Sequence, residues 1–524
     1  MPASFDHDFF VQGAAPARVA APRSIEAAIA ELRTAAAERL VVVPRGGGMS
    51  YTGGYVSDGA AAHLLLDLRG LDRIDLAHLD DGIAIVEAGV TWEQLWASLR
   101  ERGHRTRFWG PLSGLSATVG GALSQNAAFW GSGRAGCAGD AALGFEIALA
   151  GGELLRTGVL ARCSADGAPA VRHFGPDLTQ LFVGDCGRFG VKLRIALAVQ
   201  PLAAASGSVS FSFESAPQLL AAMTAIARAD LVAQQVGFDP LLANLRSRRQ
   251  SLGEDFRNLT RVLRGGRSML QGLRDAANVT LAGRGYLADA GYTLHAMCEA
   301  RSAAMLAEEL DAVTQIATGH GARAIENSIP TVMTAAPFTP LNGIIGPNGE
   351  RWVPVHGLFA PSKATTAYAT YIDVLGDARE TLEREQISSA ALFASVGSAT
   401  LLIEPMFFWP DALDPLHDAT LEEKVRRRLT PRAANPQARA AVAALRRQIV
   451  DAWRPLGAGH LQVGRTYPFT ATLDATQQRV FDGLLQTLDP AARSNTGALG
   501  LGASARTPPG ASPGSPPSSQ GDRP

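Results

Sequence analysis

The chain has 524 residues, 48 Lys+Arg against 49 Asp+Glu, and 46% apolar side chains. At ~100–200 residues per domain, this length predicts two or three domains around a sizeable core. The balanced charge gives no electrostatic reason to expect a nucleic acid or an anionic membrane as a partner. No run of ~18–20 apolar residues predicts an integral membrane segment.

Cys137, Cys163, Cys186 and Cys298 are scattered and form no CxxC pair, which argues against a disulfide framework and suits a reducing, cytoplasmic compartment. The start of the chain, MPASFDHDFFVQG, has early acids and no apolar run, so it does not read as a secretory signal. The basic clusters Arg246–Arg249 and Lys424–Arg428 read as solvated helix faces.

Residues 1–19 read as an irregular lead-in. A helix is expected over 24–38 with Ser24 as N-cap. The short apolar run Leu40–Val43 reads as a buried strand, and further strands are expected at His63–Leu68 and Ile83–Val86. The segment 91–103 reads as a helix capped by Thr91 and Gln94. After a glycine-rich stretch from Gly110 to Gly144, FEIALAGGELLRTG reads as a hairpin turning at Gly151-Gly152, and a strand over Val191–Val199 ends at Pro201. From about 205 the texture changes to alternation (SGSVSFSFES) followed by Ala/Leu/Arg helices. Strand segments are expected near 290–297, 353–360 and 399–408, with helices over 437–452 and 475–487. Residues 503–524 are rich in Pro, Ser and Gly and are expected to be disordered.

Three glycine-rich runs carry chemistry. Pro44-Arg45-Gly46-Gly47-Gly48-Met49-Ser50-Tyr51-Thr52-Gly53-Gly54 follows a strand directly. Glycines in series can turn several backbone N–H groups toward one point, and such a nest binds phosphate oxygens. The run has neither a third fingerprint glycine nor a G-K-[ST] end, so it is neither a dinucleotide fingerprint nor a Walker loop. The second run, Gly110 to Asn126, pairs small residues as if its backbone lay against a flat ligand. The third, Val183 to Val191, spaces glycines at 184, 187 and 190. Taken singly, each run also reads as a turn or a connector.

The order of PRGGGxS, VEAGVTWEQL at 86–95, TVGG at 118–121 and GDCGRFGV at 184–191 resembles the FAD domain of the vanillyl-alcohol oxidase / p-cresol methylhydroxylase superfamily. The resemblance covers roughly residues 20–202. A weaker echo in LLIEPMFFWPD, GAGHLQVGRTYPF and SNTGALGLG is similar to the D-lactate dehydrogenase and aryl-alcohol oxidase branches. It implies an α+β protein, with a two-subdomain FAD-binding domain over 20–202 and an α+β substrate-binding cap over 203–502. It implies that Arg45, Gly46, Gly47, Gly48, Met49 and Ser50 line the FAD pyrophosphate. Thr118, Gly120, Gly121 and Asn126 would run along the flavin and ribityl chain, and Gly190 and Val191 would touch it through backbone atoms. Cys186 stands where many relatives have Glu.

Relatives that tether the flavin have His where this chain has Met49, or Cys near Ser116, so non-covalent FAD is expected, with His417 the candidate for a tether from the cap. Relatives that oxidise D-lactate often hold a metal with an HxxxxxxH-type run and a Glu-His pair. Neither is present, so no metal is expected. The expected partners are a small-molecule substrate and an electron acceptor left open among oxygen, a quinone and a cytochrome, with a homodimer allowed. A flavin-binding protein without catalysis is the rival from another class.

The segment 460–467 alternates. Read as a strand, it puts His460, Gln462, Gly464 and Thr466 on one side and Arg465 and Tyr467 on the other. Arg465 is the candidate clamp for a carboxylate, Tyr467 the candidate to orient a hydroxyl and His460 the candidate base. Glu404 and His356 lie in strand-like segments that could approach the same pocket. This favours a 2-hydroxy acid of the D-lactate type, with a phenolic or aryl alcohol as the alternative suggested by Phe407-Phe408-Trp409.

Overall fold

The computed structural model describes residues 5–162, 169, 171–243 and 291–502. Cys163, the cluster Arg246–Arg249 and the Pro/Ser/Gly-rich tail lie outside them. The first unit opens with a three-stranded parallel sheet, in the order Arg18–Ala20, His63–Asp67, Val41–Arg45. Helix Ile25–Ala37 covers it, and the Ser24 hydroxyl accepts from Ala27 N as the sequence predicts. Ile25, Ala28, Leu32 and Ala35 form its buried stripe, at helical spacing.

A second, antiparallel sheet is built on the long strand Val191–Pro201, which pairs with Ile83–Glu87, Ala142–Ala148 and His104–Thr106. Helices Trp92–Glu101 and Val119–Gln125 bury Trp92, Leu95, Leu99, Val119 and Leu123 in a shared core. Thr91 and Gln94 form the expected capping box. The second helix lies inside the stretch read from sequence only as a glycine-rich loop. Thr118 caps it, and its seven residues are too few for a periodic pattern to stand out.

The cap carries an eight-stranded sheet. From edge to edge it runs Arg323–Ile325, Ala205–Phe213, Tyr292–Ala300, Gln234–Phe238, Ser388–Val396, Thr400–Trp409 and Arg351–Pro354, with Gly357–Phe359 also on Thr400–Trp409. Alternation sorts its side chains to two faces. Ile403, Phe407 and Trp409 meet helices such as Pro436–Trp453, while Leu402, Met406 and Phe408 join Trp109, Phe129 and Trp130 of the first unit.

Residues 485–501 return from the cap to the first unit. Leu485, Ala498, Leu499 and Leu501 sit in the core of the first unit. Asn495 N donates to Val42 O and Val42 N to Arg493 O. The buried pair Arg188–Asp489, at 2.6 Å, and Asn495 Nδ2 bonded to Gly54 O and Cys186 O secure this return. The segment SNTGALGLG is thus a wall of the first unit, although a boundary at 203 counts it with the cap.

Candidate functional site

A long cleft runs between the two units. One wall is Arg45 to Tyr51, Thr118, Gly120, Gly121, Gly187 and Gly190; the other is the cap face with Leu392, Glu404, Met406 and Phe408. The glycine wall is tight. A β carbon on Gly46 would lie 2.2 Å from Thr118 Oγ1, and one on Gly47 would lie 1.9 Å from Ser116 O. Gly48 has φ +75°, a left-handed conformation that glycine adopts without strain. The carbonyls of Gly46, Gly48 and Ser50 accept from Arg45 Nη1, Tyr55 hydroxyl and Phe9 N. The N–H groups of Gly46 to Ser50 donate to no described group. A row of free N–H donors on a cleft wall is a cradle for anionic oxygens. The residues present therefore suit a diphosphate.

The side chains of this wall have settled roles. Arg45 is buried, 3.8 Å from Asp67, with its guanidinium over the rings of Tyr55 and Phe5. The Ser50 hydroxyl donates to Asp8 and accepts from Thr52 N and Gly54 N, so it is spent within the loop. Met49 and Ser116 supply no tethering nucleophile. Asn126 caps helix Val119–Gln125 at φ +49° and accepts from Gly139 N. Val191 starts a strand and packs into the core. Neither Asn126 nor Val191 lines the cleft. Lys192 does, and sequence reasoning missed it; its ammonium bonds Asp185 at 2.5 Å and Ser124 at 2.9 Å. Cys186 bonds Gly464 N through sulfur, and burial pushes its thiol up to about 12.

The cap end differs in chemistry. Phe129, Trp352, Phe408, Met406, Leu392 and Leu341 give it apolar walls. Into them opens one carboxyl, Glu404, opposite Leu392 across the sheet. No described group hydrogen-bonds or pairs with it. Desolvation alone raises it to about 7. Tyr51 and Gln462 line the same cleft, with Tyr51 edge-on to Trp352 at 5.7 Å. Among the described residues, Arg45 and Lys192 are the cations on the cleft wall, both on the first unit's side.

Of the five candidate catalytic residues, Glu404 alone lines this cleft. The strand read over 460–467 is a series of turns, because Gln462 and Gly464 take positive φ. Arg465 faces the glycine loop 44–54: Nη1 donates to Gly53 O, and Nη2 to Asn495 Oδ1 and Thr496 O, each at 2.8 Å. Buried His356 and Tyr467 and half-buried His460 form a cluster apart from the cleft wall. Tyr467 hydroxyl accepts from His356 N at 3.0 Å, and His356 Nε2 lies 2.8 Å from Leu461 O. The His460 ring stacks on Tyr467 at 4.3 Å, and its Nδ1 is 2.8 Å from His356 O. Burial lowers His356 to about 3, and it also pushes His460 down. His417 is fully buried against Asp414 and Phe9, away from the cleft wall. Among the described residues no group of three or more His, Cys, Asp and Glu is arranged to hold a metal ion, and no helix is long and apolar enough to cross a membrane.

Residues 16–158 match a family model described as an FAD binding domain. The mitochondrial D-lactate dehydrogenase [cytochrome] of Arabidopsis thaliana is 29% identical over 36% of this chain and 31% of its own length. Glycolate oxidase subunit GlcD of Bacillus subtilis is 30% identical over 34% of this chain and 35% of its own. The chain thus spans about a third of the length of these two relatives. Among solved structures, p-cresol methylhydroxylase with substrate bound superposes with TM-score 0.69 at 14% identity, covering 95% of this chain and 92% of that one. The 4-ethylphenol oxidase of Gulosibacter chungangensis gives 0.65 at 16%, covering 95% and 91%. These two likenesses show the fold.

Proposed function

We propose that this chain, which carries an FAD-binding domain over residues 16–158 and shares the fold of p-cresol methylhydroxylase, oxidises a small neutral alcohol in the chamber around Glu404. FAD, held by the loop Gly46–Ser50 and the Thr118–Gly121 wall, would supply the two-electron acceptor. The protein's part is to orient the donor and take its proton. Glu404 is the acid–base group. At about 7 it is poised to accept a hydroxyl proton near neutrality and release it afterwards. Tyr51 and Gln462 on the same wall are the groups available to orient the donor oxygen. The apolar walls exclude water and strengthen each of these interactions.

The observation that carries this reading is a lone, unpaired carboxyl in an apolar chamber that opens onto the phosphate cradle. A neutral aryl or alkyl carbinol suits such walls, because a buried carboxylate without a cation is costly. A 2-hydroxy acid is the second reading, favoured by relatives named D-lactate dehydrogenase and glycolate oxidase. Anaerobic bleaching of the bound flavin by vanillyl alcohol, p-cresol, D-lactate and D-2-hydroxyglutarate tests both. The expected result is bleaching by vanillyl alcohol, the neutral carbinol of the four. Bleaching by the hydroxy acids alone would move the assignment to the second reading, and bleaching by none would remove it.

A further inference from the structure

The family match begins at residue 16, and residues 5–13 read from sequence as part of a lead-in. In the structure they thread between the phosphate loop and the cap. The Asp8 carboxylate is 1% exposed. One oxygen accepts from Phe10 N at 2.9 Å and Val11 N at 2.7 Å. The other accepts from Gly53 N at 2.7 Å and the Ser50 hydroxyl at 3.1 Å. Phe9 N donates to Ser50 O at 3.2 Å, and Tyr55 hydroxyl spans Gly48 O and His7 O. On the cap side, Arg351 Nη2 donates to Phe9 O at 2.8 Å and His7 Nε2 lies 3.6 Å from Asp414. Phe10 meets Trp409 edge-on and lies under the Arg446 guanidinium.

We propose that Asp8 is a positioning residue for the cofactor loop, and that residues 5–13 are a strap through which the cap holds that loop in its diphosphate-binding shape. The inference rests on the diphosphate lying at Gly46–Ser50. The physical reason lies in peptide orientation. The carbonyls of Gly48 and Ser50 and the N–H of Gly53 are tied to the strap or to Tyr55, which leaves the N–H groups of Gly46 to Ser50 free to face the cleft. Four donors converge on Asp8, so the site requires an acceptor at both oxygens. Asparagine would set an NH₂ against at least one N–H donor. A buried mismatch of this kind costs ~1–3 kcal/mol, which is about ten- to a hundred-fold if it falls on ligand binding.

The test is titration of the full-length protein, stripped of flavin, with three probes: FAD; ADP, which carries the diphosphate without the ring; and riboflavin, which carries the ring without the diphosphate. Asp8→Asn should raise the Kd for FAD and ADP about ten-fold or more and leave that for riboflavin within about two-fold. Equal weakening of all three would mean general loss of structure and would overturn the proposal, as would unchanged FAD binding. His7→Ala, which cuts the strap from Asp414 without touching the loop, should give the same pattern at about two- to five-fold, within the range of a partly buried ion pair; an unchanged FAD affinity there would overturn the strap's role even if Asp8→Asn failed to fold. Gly47→Val is the control: if it keeps FAD, the diphosphate assignment fails, whereas its loss of FAD beside an unaffected Asp8→Asn would count against Asp8 alone.

Discussion

The two ends of the cleft are built in opposite ways. At the glycine-loop end, where the proposed reading places the diphosphate, backbone groups form the wall and side chains are held back: Gly46 and Gly47 press against Thr118 and Ser116 with no room for a β carbon. At the cap end side chains supply it. Glu404, Met406 and Phe408 project from one strand and Leu392 from its neighbour, while Tyr51 and Gln462 come from loops hundreds of residues apart. A backbone site tolerates almost no substitution at its glycines. A side-chain site can change its specificity residue by residue while its frame stays fixed.

The largest expected effect breaks the cap end alone. Glu404→Gln should slow anaerobic flavin reduction by about 10²–10⁴-fold, the usual contribution of a positioned base, with FAD still bound stoichiometrically. A variant that reduces its flavin at the wild-type rate would show that the base lies elsewhere. Breaking the phosphate end should do the reverse. Gly47→Val forces a side chain into Ser116 O, and at ~1–3 kcal/mol for overpacking the FAD Kd should rise about ten- to a hundred-fold, as equilibrium dialysis of the stripped protein would measure.

A smaller effect sharpens the contrast in substrate choice. With no described cation at the cap end, a neutral carbinol should exceed a 2-hydroxy acid of similar size by about ten-fold or more in kcat/KM; the opposite preference would place an unseen cation at the chamber. The smallest effect is expected at Tyr467. Its hydroxyl bonds His356 behind the cleft wall, so Tyr467→Phe should lower the melting temperature by about 2–4 °C, from ~1 kcal/mol for one buried hydrogen bond. The flavin-reduction rate should stay within about three-fold, and a much slower rate would return Tyr467 to the catalytic machinery.

The same asymmetry decides how much could be read in the sequence. Each glycine run alone also reads as a turn, and it is their order along the chain that stands out; Gly46–Gly48, Gly120, Gly121, Gly187 and Gly190 line the cleft, whereas Gly184 does not. Glu404 could be named because it sits in an alternating strand, and Phe408 because it belongs to an aromatic run. Only the sheet register shows that Phe407 and Trp409 turn to the helices instead. Arg465 and Tyr467 read as a substrate wall because local alternation suggests a strand. The positive φ at Gln462 and Gly464 replaces that strand with turns, and tertiary contacts with Gly53 and Asn495 take the guanidinium. Lys192, Asp8 and the return of residues 485–501 to the first unit depend on contacts across dozens to hundreds of positions, and no local pattern announces them.

The central claim, that Glu404 takes the donor's proton beside the FAD cleft, is tested most directly by the pH dependence of anaerobic flavin reduction at saturating neutral alcohol. A base must be ionised to act. The raised carboxyl should therefore make the wild-type rate climb about ten-fold per pH unit below about 7 and level off above it. Buried His356, lowered to about 3, should add no step between pH 5 and 8. In Glu404→Gln the slow residual rate should be flat through that range. A variant that keeps both the wild-type rate and the wild-type rise near pH 7 would contradict the account.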